Sequence, residues 1–218
     1  MNLANKLTIF RIILVPFFVI VGYLGTMGVI TGSWLGIPTY FWIMNIIFII
    51  ASLTDKLDGY IARSRNMVTT FGKFLDPLAD KILVISALVM LVEFGKLPAW
   101  VPIIVLFREF LVSGYRLVAV EKGGKVIAAS IWGKLKTVTQ MIAIILAFVD
   151  KFNFFAFLKA TTDQVAAASS SMQIFMTQPE LIFNVVTSVV MLVSVVAAVF
   201  SGWDYLKNGK DLFKEDKI

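Results

Sequence analysis

The sequence DKLDGYIARSRNMVTTFGKFLDPLAD, residues 55–80, holds four of the 14 acidic residues of the chain. Asp55 and Asp58 are three residues apart, and Asp76 and Asp80 are four apart, so on helices the members of each pair share a face. Four carboxylates brought together would repel one another unless they took up protons or bound cations. Hard oxygen ligands suit Mg²⁺ or Mn²⁺, and magnesium commonly combines a few carboxylates with substrate phosphates. The segment therefore predicts a metal site that binds a phosphate ester.

The composition limits the remaining chemistry. The chain has no cysteine and no histidine. Disulfides, thiolate metal sites, thiol nucleophiles and imidazole acid–base catalysis are therefore excluded. Any chemistry must use carboxylates, lysine, arginine or hydroxyl groups.

Hydrophobic residues make up 59% of the 218 residues, and the mean hydropathy is +0.87. Apolar runs of about 20 residues, long enough to cross a bilayer, recur along the whole sequence. We expect an all-α polytopic membrane protein that forms a single domain over residues 1–218. Six transmembrane helices are predicted, at approximately 8–30, 38–62, 72–94, 99–121, 130–149 and 180–206. The longest connection, 150–179, is expected to be an extracytoplasmic loop.

The distribution of positive charge predicts the orientation. Residues 25–40 contain no lysine or arginine, whereas the next junction holds Lys56, Arg63, Arg65 and Lys73. The positive-inside bias places that junction, and the carboxylates beside it, on the cytoplasmic side. The same bias and attraction to anionic lipid headgroups account for the net charge of +6. We expect no nucleic-acid partner.

A wider pattern surrounds the four aspartates. A lone Asp-x-x-Asp at the end of a span is usually a solvated helix end, but here eight residue types stand at set spacings. The pattern is Asp-x-x-Asp-Gly-x-x-Ala-Arg, eight residues, and then Gly-x-x-x-Asp-x-x-x-Asp. It resembles the signature of the CDP-alcohol phosphotransferases, which are six-span membrane enzymes and usually homodimers.

The resemblance implies roles for the residues of this pattern. Asp55, Asp58, Asp76 and Asp80 would bind two divalent ions, Mg²⁺ or Mn²⁺, and Asp80 would also act as the catalytic base. The residues expected around the cytidine diphosphate part of a CDP-diacylglycerol donor are Asp58, Gly59, Ala62, Arg63, Gly72 and Lys73. The implied reaction moves a phosphatidyl group from CDP-diacylglycerol onto an alcohol.

A second polar set lies where apolar residues are expected. Arg108 and Glu109 fall inside the fourth predicted span, and Arg116 follows two turns later. Intramembrane charge is expensive and generally marks a cavity or a paired site. Together with Lys134 and Lys136 in GKLKT, the two arginines predict a pocket for an anionic acceptor, and glycerol 3-phosphate fits it. The alternatives are a structural Arg108–Glu109 ion pair, an Arg116 that snorkels to the interface, and lysines that only set topology.

The two ends of the chain are less informative. Thr8 and Arg11 could help to close the acceptor pocket, or they could belong to an N-terminal anchor. Asp204 and Tyr205 are interpreted as an interfacial anchor.

A wider resemblance covers nearly the whole chain. The matching segments are NKLTIFRIILVPFF (5–18), FREFLVSGYR (107–116), GKLKTVTQ (133–140) and SGWDYL (201–206). They are most similar to bacterial members of the family that use glycerol 3-phosphate, which implies a bacterial inner-membrane protein with a cytoplasmic active site. Ala4 stands where a proline is usual in the family, and the 150–179 loop is longer than usual.

Two rival functions remain open at this point. One is a sister enzyme that uses inositol phosphate, serine or phosphatidylglycerol as acceptor. The other is an ion-coupled transporter, because intramembrane carboxylates and arginines also mark ion paths.

Overall fold

The structure is a computed structural model that describes most of the backbone and a smaller set of side chains. The described backbone covers residues 3–64, 70–121, 131–156 and 179–208. The described side chains are those of residues 6–54, 78–79, 81–119, 131–156 and 180–207.

Long helices make up most of the described backbone. They are α1 (Leu3–Thr26), α2 (Thr39–Ser64), α3 (Thr70–Glu93), α4 (Trp100–Glu121), α5 (Ile131–Val149) and α6 (Pro179–Asn208). Each predicted span coincides with one of these helices, and no end differs by more than five residues.

The connection between α1 and α2 departs from a purely helical fold. The first predicted span continued to residue 30, but α1 ends at Thr26, and Gly28 and Gly32 then take positive φ angles of 75° and 104°. Two short antiparallel strands follow, β1 (Ser33–Trp34) and β2 (Ile37–Pro38). The two residues between them, Leu35 and Gly36, have φ angles of 57° and 76°, as a tight hairpin turn requires. The described fold is otherwise helical, as expected, and this small hairpin is a local departure from that expectation.

The hydrophobic core lies between α1, α2, α3 and α5, with a contribution from α6. Phe18 of α1, Phe48 of α2, Leu88 of α3 and Phe148 of α5 are fully buried in it. The rings of Phe18 and Phe148 meet edge to face, with centroids 5.8 Å apart. This packing holds together the helices that carry the polar residues of the candidate site.

Three helical segments within the described residues are long and apolar enough to cross a membrane. They are Lys6–Thr26, Ile131–Val149 and Glu180–Lys207. The helix α4 carries Arg108, Glu109 and Arg116 among its apolar residues, yet Phe107 and Phe110 on the same helix are each 69% exposed. Exposed aromatic side chains of this kind suit a lipid environment better than water.

Candidate active site

The four aspartates lie in the last part of α2 and the first part of α3. Helix α2 ends at Ser64, α3 begins at Thr70, and the two helices contact each other. Asp58 lies about 9 Å along the helix axis from the end of α2, and Asp76 lies about 9 Å from the start of α3. Asp55 and Asp80 lie deeper, at about 14 Å and 15 Å. The two acidic pairs thus lie at similar axial distances from the end of α2 and from the start of α3.

The side chains of this predicted set lie outside the described residues. They are Asp55, Asp58, Gly59, Ala62, Arg63, Gly72, Lys73, Asp76 and Asp80. Among the side chains that are described, no group of three or more acidic residues is arranged to hold a metal ion.

A large cavity lies between α3, α4, α5 and α6, and we call it the Arg108 pocket. Its volume is about 630 Å³. The charged residues that line it are Lys81, Arg108, Glu109, Arg116, Lys134 and Lys136. Within the described lining, five positive charges face a single negative one. The structure therefore brings together the four basic residues of the predicted acceptor pocket, Arg108, Arg116, Lys134 and Lys136.

Glu109 ties two of these cations together. Its Oε1 accepts hydrogen bonds from Arg108 Nη1 at 2.9 Å and from Lys136 Nζ at 2.6 Å. The exposed fractions of the three side chains are 12% for Arg108, 15% for Glu109 and 7% for Lys136. The ion pair considered from the sequence is present, and it extends across α4 and α5 into a triad.

Helix α6 contacts both arginines of α4. Arg108 Nη2 donates to Ser201 Oγ at 2.6 Å, and Arg116 Nη2 donates to the Tyr205 hydroxyl at 2.8 Å. The Arg116 guanidinium also lies 5.7 Å from the centre of the Tyr205 ring. Tyr205 is only 2% exposed and lines the Arg108 pocket. Its interpretation as an interfacial anchor is therefore wrong, because the hydroxyl has a charged partner inside the bundle.

Two buried nitrogen donors in the pocket wall lack a partner among the described residues. They are Arg108 Nε and Gln140 Nε2. Buried donors are nearly always hydrogen-bonded in folded proteins, since an unmade bond is costly. The pocket wall therefore has donor capacity that its own described side chains do not use.

Lys81 is a pocket residue that the sequence interpretation missed. It follows Asp80 on α3, and its Nζ donates to the hydroxyl of Ser113 on α4. A lysine at the start of a long apolar stretch was the signal that could have identified it. A residue that lines the pocket therefore directly follows Asp80, and the Cα atoms of the two residues are about 3.8 Å apart.

Thr8 and Arg11 lie apart from this pocket. They are 1% and 0% exposed, and neither is among the residues that line the cavity. Arg11 Nε donates to the carbonyl of Ala51 on α2 at 3.3 Å, one helical turn before Asp55. Arg11 is thus held at the contact between α1 and α2, and neither residue closes the described part of the pocket.

A second buried polar cluster, the Lys96 network, joins the α3–α4 connection to the start of α6. Lys96 Nζ donates to the carbonyls of Asp150 and Phe152. The Asp150 carboxylate accepts hydrogen bonds from Phe152 N and from Asn184 Nδ2, each at 2.9 Å. Burial lowers the pKa of Lys96, and the Asp150 carboxylate partly opposes that change. The adjoining cavity is only about 10 Å³, too small for more than about one water molecule.

Comparison with known proteins supplies the family. The family model described as CDP-alcohol phosphatidyltransferase matches residues 1–200. The CDP-diacylglycerol–glycerol-3-phosphate 3-phosphatidyltransferase of Bacillus subtilis (strain 168) is 39% identical over 217 residues, which cover 98% of this chain and 97% of that protein. The protein of the same name from Haemophilus influenzae is 44% identical over 147 residues, 66% of this chain and 73% of its own length. That from Wigglesworthia glossinidia brevipalpis is 40% identical over 148 residues, 66% of this chain and 75% of its own length.

Proposed function

The chain belongs to the CDP-alcohol phosphatidyltransferase family, and on that basis we propose that it transfers a phosphatidyl group from CDP-diacylglycerol to sn-glycerol 3-phosphate. The products are phosphatidylglycerophosphate and CMP, so the reaction is a step of phospholipid biosynthesis. The relatives that match this chain carry the name of that activity.

The observation that carries the choice of acceptor is the charge of the Arg108 pocket. Its described lining has an excess of four positive charges, and one of the lining residues, Lys81, directly follows Asp80 in the chain. A zwitterionic acceptor such as serine, which has no net charge, would gain less from such a surplus than a phosphate dianion, which forms charge-assisted hydrogen bonds. Arginine forks match phosphate geometry particularly well. A phosphorylated alcohol is thus the acceptor that the pocket favours.

Asp55, Asp58, Asp76 and Asp80 would hold the divalent ions. Both pairs lie on helices that contact each other, at similar axial distances from Ser64 and Thr70, and a set of carboxylate oxygens suits Mg²⁺ or Mn²⁺. Two ions bound there would neutralise negative charge on the diphosphate and on the departing CMP. Asp58, Gly59, Ala62, Arg63, Gly72 and Lys73 would surround the cytidine diphosphate group.

The proposed reaction is a displacement at the phosphorus that carries the diacylglycerol. The hydroxyl oxygen of glycerol 3-phosphate forms a bond to that phosphorus, and the bond from the phosphorus to the bridging oxygen of the diphosphate breaks. CMP leaves with the electron pair of the broken bond, and Asp80 takes the hydroxyl proton. Arg108, Arg116, Lys134 and Lys136 would bind the acceptor phosphate.

The proposed setting is a bacterial inner membrane. All six helices would span it as a single domain over residues 1–218, with the active site on the cytoplasmic side and residues 150–179 outside. The enzyme would act as a homodimer, as the family resemblance implies. Apolar exposed side chains along α4 support contact with lipid acyl chains.

The test is CMP release by the purified protein in detergent, supplied with CDP-diacylglycerol, Mg²⁺ and glycerol 3-phosphate. We expect one CMP for each molecule of lipid product. No release with any alcohol tried would contradict the proposal and favour transport. A higher kcat/KM with an uncharged alcohol, or with inositol phosphate, would instead contradict the assignment of the acceptor.

Asp80→Asn tests the proposed base. Turnover should fall by at least about 10³-fold, because the side chain can no longer accept the hydroxyl proton. Binding of CDP-diacylglycerol should persist in part, since three carboxylates remain. Asp204→Asn, which makes the same change on α6, is the matched control and should keep wild-type turnover. Near-normal turnover of Asp80→Asn would remove this residue from the role of base.

A further inference from the structure

The two arginines of the pocket are each held by a hydroxyl from α6. Ser201 and Tyr205 are four residues apart, so they lie on one face of this helix. Ser201 accepts from Arg108 at 2.6 Å, and Tyr205 accepts from Arg116 at 2.8 Å. A single face of α6 therefore supplies one acceptor to each guanidinium group.

These contacts are buried at their α6 ends. Ser201 is 0% exposed and Tyr205 is 2% exposed. Arg116 itself is exposed, and a free arginine side chain samples many rotamers. A hydrogen bond to a fixed hydroxyl, together with the stacking on the Tyr205 ring, restricts that freedom before a ligand arrives.

The spacing along the two helices is unequal. Arg108 and Arg116 are eight residues apart on α4, about 12 Å along the axis, whereas Ser201 and Tyr205 start about 6 Å apart on α6. The two arginines thus reach hydroxyls that are separated by about one turn of α6. Each hydroxyl accepts a hydrogen bond from only one guanidinium nitrogen, Nη2. The other N–H donors of each guanidinium group are not engaged by these two bonds.

We propose that Ser201 and Tyr205 are positioning residues that set the two guanidinium groups for the phosphate of the acceptor. The last helix is then a wall of the acceptor site, and it determines selectivity for a phosphorylated alcohol. This inference rests on the proposed function, since it concerns the acceptor of that reaction.

The central test compares Ser201→Ala with Ser194→Ala. Ser194 is also a buried serine of α6, but its hydroxyl bonds to the carbonyl of Met191 within the same helix. Ser201→Ala should raise the KM for glycerol 3-phosphate about tenfold, because a hydrogen bond to a charged group is lost. The kcat and the KM for CDP-diacylglycerol should stay within about twofold of wild type. Ser194→Ala should leave all three parameters unchanged.

Tyr205→Phe provides the second arm, because it removes the hydroxyl and retains the ring. The KM for glycerol 3-phosphate should again rise about tenfold. Ser201→Thr, which restores a hydroxyl, should recover most of the loss seen in Ser201→Ala. If Tyr205→Phe does not fold, the Ser201 and Ser194 variants decide the question alone. Equal behaviour of Ser201→Ala and Ser194→Ala, or a fall in kcat without a change in KM, would overturn the proposal.

Binding of inorganic phosphate separates this inference from the proposed function. Calorimetric titration of the detergent-solubilised protein with phosphate requires no turnover. If wild type binds phosphate but releases no CMP, the proposed reaction fails, and weaker phosphate binding by Ser201→Ala would still support the positioning role. If both serine variants bind phosphate as wild type does, the positioning role fails even when CMP release is normal.

Discussion

The Lys96 network and the Arg108 pocket both bury charged side chains between helices, but they differ in charge balance and in space. Lys96 faces Asp150, and the cavity beside them is about 10 Å³. The Arg108 pocket has five cations and one carboxylate in its described lining, around a cavity of about 630 Å³. In the Lys96 network a lysine faces a carboxylate and almost no empty space remains. The Arg108 pocket has a large cavity and an excess of positive charge.

The difference separates two reasons for burying charge. Lys96, Asp150 and Asn184 join a connection to α6 through hydrogen bonds that the chain itself completes. In the pocket, Arg108 Nε and Gln140 Nε2 are buried without a partner among the described residues. Buried charge that is matched internally holds the fold together, whereas an unmatched surplus beside a large cavity indicates a ligand of opposite charge. The comparison yields predictions in which one cluster affects stability and the other affects catalysis.

The largest expected effect is on stability, from Asp150→Asn in the Lys96 network. The change removes the charge that faces Lys96 and puts an amide donor against Phe152 N or Asn184 Nδ2. Losing this charge and one of the hydrogen bonds that the buried carboxylate accepts should lower the free energy of unfolding by about 3 kcal/mol. Denaturant unfolding in detergent measures this loss.

Asp204→Asn is the matched control, because Asp204 is partly exposed. It should change the free energy of unfolding by less than about 0.5 kcal/mol. CMP release per folded Asp150→Asn molecule should equal that of wild type. A loss of turnover with unchanged stability would reverse the assignment of the two clusters.

The next effect is on catalysis, from Arg116→Ala in the Arg108 pocket. The kcat/KM for glycerol 3-phosphate should fall about 100-fold, or about 2.7 kcal/mol, because a guanidinium contact to the phosphate is lost. The free energy of unfolding should change little, since the side chain is exposed. Lys151→Ala removes a cation that is paired with Glu180 outside the pocket, and should retain normal kinetics. Similar kinetics for the two variants would mean that Arg116 does not bind the acceptor.

The smallest effect is a pH dependence of stability from Lys96. Burial lowers the pKa of Lys96 in the folded state, so between this lowered pKa and the ordinary value of 10.5 the unfolded chain binds more protons than the folded chain. The free energy of unfolding should therefore rise with pH through that window. The slope should disappear in Lys96→Met, and unfolding curves recorded at a series of pH values measure the difference. A wild-type stability that falls with pH relative to Lys96→Met would contradict the direction of the pKa change.

Regular patterns made the helices and much of the pocket predictable. Apolar runs of about 20 residues predicted the positions of α1 to α6 to within five residues, and three segments within the described residues are apolar enough to cross a membrane. Arg108 and Arg116 stood out because charge inside an apolar stretch is costly and needs a reason. The spacing of the four aspartates predicted two pairs on two helices, and the helix bounds place one pair on α2 and the other on α3.

Other features carried no distinct signal in the sequence. Tyr205 resembles the aromatic anchors found at the ends of many spans, and only packing against α4 reveals its bond to Arg116. Ser201 is unremarkable in a helix until its partner across the bundle is known. In the sequence, Lys81 is one more basic residue beside the predicted metal segment. The strands β1 and β2 have only two residues each, too few to show the alternating pattern of a strand.

The most direct test is a structure of the protein bound to CDP-diacylglycerol, Mg²⁺ and glycerol 3-phosphate. The acceptor phosphate should lie in the Arg108 pocket, within hydrogen-bonding distance of the guanidinium groups of Arg108 and Arg116, with its free hydroxyl directed towards Asp80. A glycerol 3-phosphate bound elsewhere, with the pocket filled by lipid or water, would contradict the account.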